Sequence, residues 1–173
     1  MVLSECIQRF LIEDENKSSQ YDHIELLKMV FQHGTFIILE NHCLKTICQI
    51  PNILFGTDKI LLLPAQILAL LLKQDDLVLD EIEIWNNLIR WATVNKDPSK
   101  WTNDELNLME KTLSRFIPLI RFHNISSEEY YVKVLPYNDL LPENLKNEIL
   151  KFYLVTKVHR WDHNHQDSLL MLT

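Results

Sequence analysis

Glycine is the residue that most constrains this chain: Gly34 and Gly56 are its only 2 glycines in 173 residues. Loops that cradle phosphate, and the turns of dinucleotide-binding folds, need clustered glycines because the backbone must approach the ligand closely. Two isolated glycines build neither. Tight β-hairpins also favour glycine, so an all-β fold is disfavoured. Hydrophobic residues at 47% and charged residues at 24% match a globular chain and not a disordered one. A chain of this length forms one domain or a short helical array, burying roughly 70% of its unfolded surface.

Charge and cysteine usage remove further classes. A net charge of -7 without any basic run gives no cationic face for nucleic acid or anionic lipid. The apolar stretches Ile60 to Pro64 and Ile67 to Leu72 are too short to span a bilayer. Residues Met1 to Glu5 lack the basic leader and apolar run of a signal peptide. The three cysteines, Cys6, Cys43 and Cys48, form no disulfide framework, and reduced thiols point to a cytoplasmic or nuclear location.

Periodicity predicts an all-α fold of about eight helices, stacked as antiparallel hairpins because their links are short. Helices are expected at Cys6 to Ile12, Tyr21 to His33, Thr35 to Ile50, Pro64 to Lys73, Asp80 to Asn95, Thr102 to Phe116, Ser127 to Leu135 and Pro142 to Thr156. Asp22 with Glu25, Thr102 with Glu105 and Ser126 with Glu129 carry capping-box spacing. Gly34 suits a left-handed C-cap. Pro51 and Pro136 are expected to end their helices, and Asn52 to Leu63 reads as a loop with one helical turn near Ile53 to Phe55. In Thr35 to Ile50 the buried side is expected to hold Ile37, Ile38, Cys43, Leu44, Ile47 and Cys48. Asp80 to Asn95 carries two adjacent apolar stripes: Ile82, Trp85, Ile89 and Ala92, and Ile84, Leu88 and Trp91. Such a helix is wedged between two others.

The run from Leu70 to Trp91 joins a leucine-rich helix, Asp76-Leu77, an acidic helix start with Glu83, and an aliphatic stripe closing on Trp91. It resembles the BACK domain, which follows a BTB domain in BTB-Kelch and related adaptors. The segment from His23 to Ile47 is similar to the 3-box helix pair that opens the BACK region, and Phe116 to Phe122 resembles its arginine-bearing segment, also seen in fungal BTB-BACK-TLDc proteins. The resemblance divides the chain into 1–20, a remnant of the last BTB helix plus connector; 21–156, the 3-box and BACK domain; and 157–173, a disordered tail. It implies a non-enzymatic spacer, without cofactor, in a cullin-RING ubiquitin ligase substrate adaptor. In that family the BTB part dimerises and makes most of the cullin contact, the 3-box adds to it, and the Kelch part holds substrate. Without a BTB domain before Met1, or Kelch blades or a TLDc domain after it, this chain is expected to keep the spacer and part of one contact surface. The alternative is a general helical-repeat binding module unrelated to ubiquitination.

The candidate residues have bland readings beside the sharp ones. Asp75, Asp76, Asp80, Glu81 and Glu83 could serve acid–base chemistry, but acids at a helix start are favoured by its dipole. His159, His163 and His165 with Asp162 match no metal-site spacing. Cys43 and Cys48 lie about 140° apart around a helix and read as small buried hydrophobes. Trp85 and Trp91 could line a groove, but their stripes favour the core; Trp101 is the aromatic expected to be exposed. The expected partner surface is the N-terminal edge at Ile7, Phe10 and Leu11, where a BTB domain would dock. Leu27, Val30 and Phe31 either pack internally, the favoured reading, or present an edge to a cullin.

Overall fold

A computed structural model of the chain describes residues 5–9, 12–13, 22–93 and 102–155. Phe10, Leu11, Trp101, the connector from 14 to 20, the linker before Trp101 and the tail with its histidines lie outside the described residues. The described residues form eight helices and no strand, because the sequence offers helical stripes, prolines at helix starts and almost no glycine.

Helix α1 covers residues 5–9. Helices α2 (His23–His33) and α3 (Ile37–Gln49) form a hairpin. Asp22 caps α2 by accepting the Ile24 N–H at 3.1 Å. The reciprocal half of the expected capping box is replaced: Glu25 pairs with Lys28 at 2.8 Å. Gly34 ends α2 at φ 61°, where a Cβ would be strained. On α3 the buried face is Leu39, Cys43, Leu44, Ile47 and Cys48. Ile37, expected to be buried, is 63% exposed, since it sits in the first turn at the hairpin tip, and Leu39 takes the inward position.

Pro51 ends α3 as expected, but the next stretch is no loop. It folds into two 3-10 segments, Pro51–Ile53 and Asp58–Leu62. The stretch buries Leu54, Phe55, Ile60 and Leu63 and leaves Leu62 exposed, so it serves the core without helical periodicity. Helix α4 (Ala65–Leu72) follows Pro64.

Helix α5 (Glu81–Thr93) is the centre of the molecule. It packs against the Asp58–Leu62 segment, against α6 (Asn103–Leu113) and against the Tyr130–Val134 turn, which is the wedged position its two stripes require. Thr102 caps α6 with a complete capping box: it accepts from Glu105 N–H at 3.3 Å, and Glu105 returns to the Thr102 N–H at 2.9 Å. Such a cap is worth about 1 kcal/mol.

The expected helix from Ser127 to Leu135 is corrected in kind. Helix α7 (Ser127–Glu129) widens into a π turn, Tyr130–Val134, and then tightens into a 3-10 segment, Leu135–Leu140, with a non-helical kink at Tyr137. Pro136 therefore does not stop the chain; it enters the first turn of the 3-10 segment, where a missing N–H costs nothing. Helix α8 spans residues 143–155. Its Ile149 is wholly buried, and its Tyr153 hydroxyl donates to the Ile125 carbonyl at 2.9 Å. No helix among the described residues is long and apolar enough to cross a membrane.

Candidate partner surface

Asp76, Leu77, Glu83, Trp85 and Trp91 all join elements together. Trp85 is wholly buried and stacks edge-on against Phe122 and Tyr137, with centroids 5.6 and 6.1 Å away. Its indole N–H donates to the Lys133 carbonyl at 3.1 Å. Trp91 is half-buried, meets Phe116 at 5.3 Å and donates to the Leu63 carbonyl at 3.0 Å. Each tryptophan thus combines apolar burial with one polar repair.

Asp76 lies exposed beside the C-terminus of α3, and the Val78 N–H donates to the Cys48 carbonyl at 3.0 Å. Burial pushes the Cys48 thiol up to about 11, and the Asp76 carboxylate adds to that shift. A thiol held protonated is a poor nucleophile, so the buried small-hydrophobe reading of Cys48 fits its setting. Leu77 packs partly buried against the core. Glu83 is exposed and lies 3.3 Å from the Asn86 amide, which donates to it, and 4.0 Å from Lys133.

The acidic cluster is divided among separate tasks. Arg121, from the arginine-bearing segment, donates through its backbone N–H to Glu81 at 3.1 Å and through its guanidinium to Asp75 at 2.7 Å. This ties the start of α5 to the 117–122 region. A groove of about 410 Å³ lies beside this clasp, lined by Asp80, Glu81, Arg121, Asn124, Ser126 and Glu129 among others. No group of three or more potential metal ligands occurs among the described residues. On the opposite side of α5, Arg90 donates to the Thr57 carbonyl at 2.6 Å and lies 3.3 Å from Asp58.

A scan of family models closes the question that this framework raises: the BACK model (BTB And C-terminal Kelch) matches residues 24–134, more than half of the chain. The chain belongs to the BACK family. The matched stretch opens at Ile24, the first buried residue of α2, and closes at Val134, the last residue of the π turn. Asp76, Leu77, Glu83, Trp85, Trp91 and the Arg121 clasp lie inside the matched stretch, and BACK domains are non-catalytic scaffold domains of adaptor proteins. No curated protein and no solved structure matches the chain.

The candidate partner residues of this BACK domain divide between core and surface, with Leu27 and Phe31 packing inward as the favoured reading has it. Leu27 is wholly buried and has no surface to offer: it faces the α3 side of the hairpin with Ile24 and Val30. Phe31 is half-buried against the core. Ile7 is exposed at 48%, as expected of the N-terminal edge. Sequence reasoning missed Met29 and Ile37, at 55% and 63% exposed, because both sit among apolar positions whose faces only the hairpin geometry separates. It also missed a second end of the molecule. Tyr131, Val132 and Leu135 on the π turn and the segment after it, and Leu150, Leu154 and Val155 on α8, are exposed. The Tyr130 and Tyr153 rings, 5.4 Å apart, join these two segments.

Proposed function

We propose that this BACK domain is the scaffold, or spacer, of a substrate adaptor for a cullin-RING ubiquitin ligase, acting in the cytoplasm or nucleus and catalysing nothing. The observation that carries the reading is the family match together with the cross-ties inside the matched stretch. Trp85, Trp91, Arg90 and Arg121 each bind an element distant in sequence. A frame cross-tied in this way holds what is attached to its ends at a set separation. The cullin contact would fall on the N-terminal edge around Ile7 and the exposed side of α2, beside a BTB domain.

The test is affinity purification of the full gene product from its own cells. Recovery of a cullin and its RING subunit, reduced by Ile7→Asp in a product that still folds, supports the adaptor reading. A folded product that recovers neither overturns it. A second reading, a helical binding module unrelated to ubiquitination, is favoured by the exposed apolar residues at the α7–α8 end. It predicts a partner lost on Tyr131→Asp and untouched by Ile7→Asp.

A further inference from the structure

Helix α3 begins without a cap of its own: its N-cap residue, Phe36, has no side chain that accepts a hydrogen bond. The first amides of a helix have no intrahelical partner and need one from elsewhere. Two of these donors, Ile38 and Leu39, are met by a residue some thirty positions earlier. The Gln8 side-chain oxygen accepts from both, at 3.0 and 3.2 Å. Gln8 is only 2% exposed, while Cys6, Ile7 and Arg9 around it are exposed. A buried carboxamide in an otherwise exposed segment is retained only where its polar atoms are satisfied.

We propose that Gln8 is a positioning residue that pins α1 onto the N-terminus of α3, so that α1 and the α2–α3 hairpin form one body with a fixed register. Ile12, partly buried against the core, holds the far side of the same docking. The residues before the pinned pair, Ile7 and Ile37, are 48% and 63% exposed. The docking brings two segments that are separate in sequence into one body. Its use by a cullin rests on the scaffold reading; the docking itself does not.

Hydrogen–deuterium exchange and limited trypsin digestion of the whole chain test the pin. Gln8→Met keeps the length and removes the acceptor. It is expected to speed exchange at Ile38 and Leu39 roughly tenfold, the scale of one hydrogen bond, and to open cleavage after Arg9. The α5 amides around Leu88 are expected to stay as in the wild type. Gln8→Glu keeps an acceptor that the helix dipole favours and is expected to restore protection. Unchanged exchange at Ile38 and Leu39 in Gln8→Met overturns the proposal. So does equal acceleration throughout α5, or failure of Gln8→Glu to protect. None of these outcomes depends on whether a cullin binds.

Discussion

At the scale of single residues, Trp85 and Trp91 differ in what their loss would cost. Trp85 is wholly buried and donates to the Lys133 carbonyl on the π turn. Trp91 is half-buried and bonds a carbonyl in a more open region. Trp85→Ala is expected to destabilise by roughly 3–5 kcal/mol, as for truncation of a buried aromatic, and Trp91→Ala by less. Denaturant midpoints of the two variants decide the order, and equal losses would mean that burial does not set it. Cys48 yields a pH prediction. Its thiol is raised from 9.0 to about 11, mainly by burial. Below pH 9 the folded and unfolded chains both keep the proton. As pH rises from there the unfolded chain releases it first, so stability falls through about pH 11. Tyr153, raised from 10.0 to about 12 by burial, extends the decline in the same direction. Urea midpoints for Cys48→Ala are expected to fall less steeply than wild type above pH 9, and parallel curves would refute the Cys48 contribution.

At the scale of elements, the two glycines serve unlike purposes. Gly34 closes α2 at φ 61° with open space where a Cβ would stand, whereas a Cβ at Gly56 would lie 2.8 Å from the Asn52 carbonyl oxygen. Gly34→Ala is expected to cost roughly 1–2 kcal/mol through the left-handed backbone, and Gly34→Asn much less, since asparagine tolerates that region. Gly56→Ala and Gly56→Asn should both be costly, because a backbone atom cannot move aside as a side chain can. Thermal unfolding of the four variants separates the mechanisms: a neutral Gly56→Asn would disprove the clash. The π turn belongs to this scale as well. Ahead of Pro136 the helix widens, Trp85 donates to the Lys133 carbonyl, and the chain resumes as a 3-10 segment with the proline in its first turn. Trp85→Phe, which keeps the ring and loses the donor, is expected to speed amide exchange within Tyr130–Val134 more than within α6. Equal effects on both would show that the indole bond does not hold the turn.

At the scale of the whole molecule, exposed apolar side chains are distributed over a cross-tied frame: Ile7 and Ile37 early in the chain, Leu62, Val78 and Leu108 in its middle, and Tyr131, Val132, Leu135, Leu150 and Leu154 on the π turn, the segment after it and α8. Exposed apolar surface of this kind promotes association when nothing covers it. Replacing Leu150 and Leu154 together by lysine is expected to reduce concentration-dependent association in sedimentation velocity while leaving the unfolding midpoint nearly unchanged. A large drop in the midpoint would show that these leucines support the core instead. The same frame explains why the acidic cluster is not one site. Asp75 and Glu81 hold Arg121, Glu83 lies by Asn86 and Lys133, and Asp76 faces Cys48, so the charges are spread over separate contacts.

The sequence by itself determined the helical class, most helix starts, the wedged place of α5 and the family resemblance. Each of these depends on local signals: caps at Thr102 and Ser126, the glycine at 34, prolines at 51, 64 and 142, and two stripes on one helix. Periodicity is legible because a helix repeats its face every few residues. The tertiary structure alone decided that Ile37 is surface while Leu39 is core, since the facing hairpin partner selects one edge of an apolar stripe. It alone turned the stretch from Asn52 to Leu63 into two 3-10 segments and carried the chain past Pro136, because contacts with α5 compensate for what local propensity would forbid. It alone brought Gln8 to the start of α3, Trp85 to Lys133 and Arg121 to Asp75. Those pairings span distances along the chain over which no spacing rule operates; they exist because unpaired backbone groups and charges must find partners wherever folding places them.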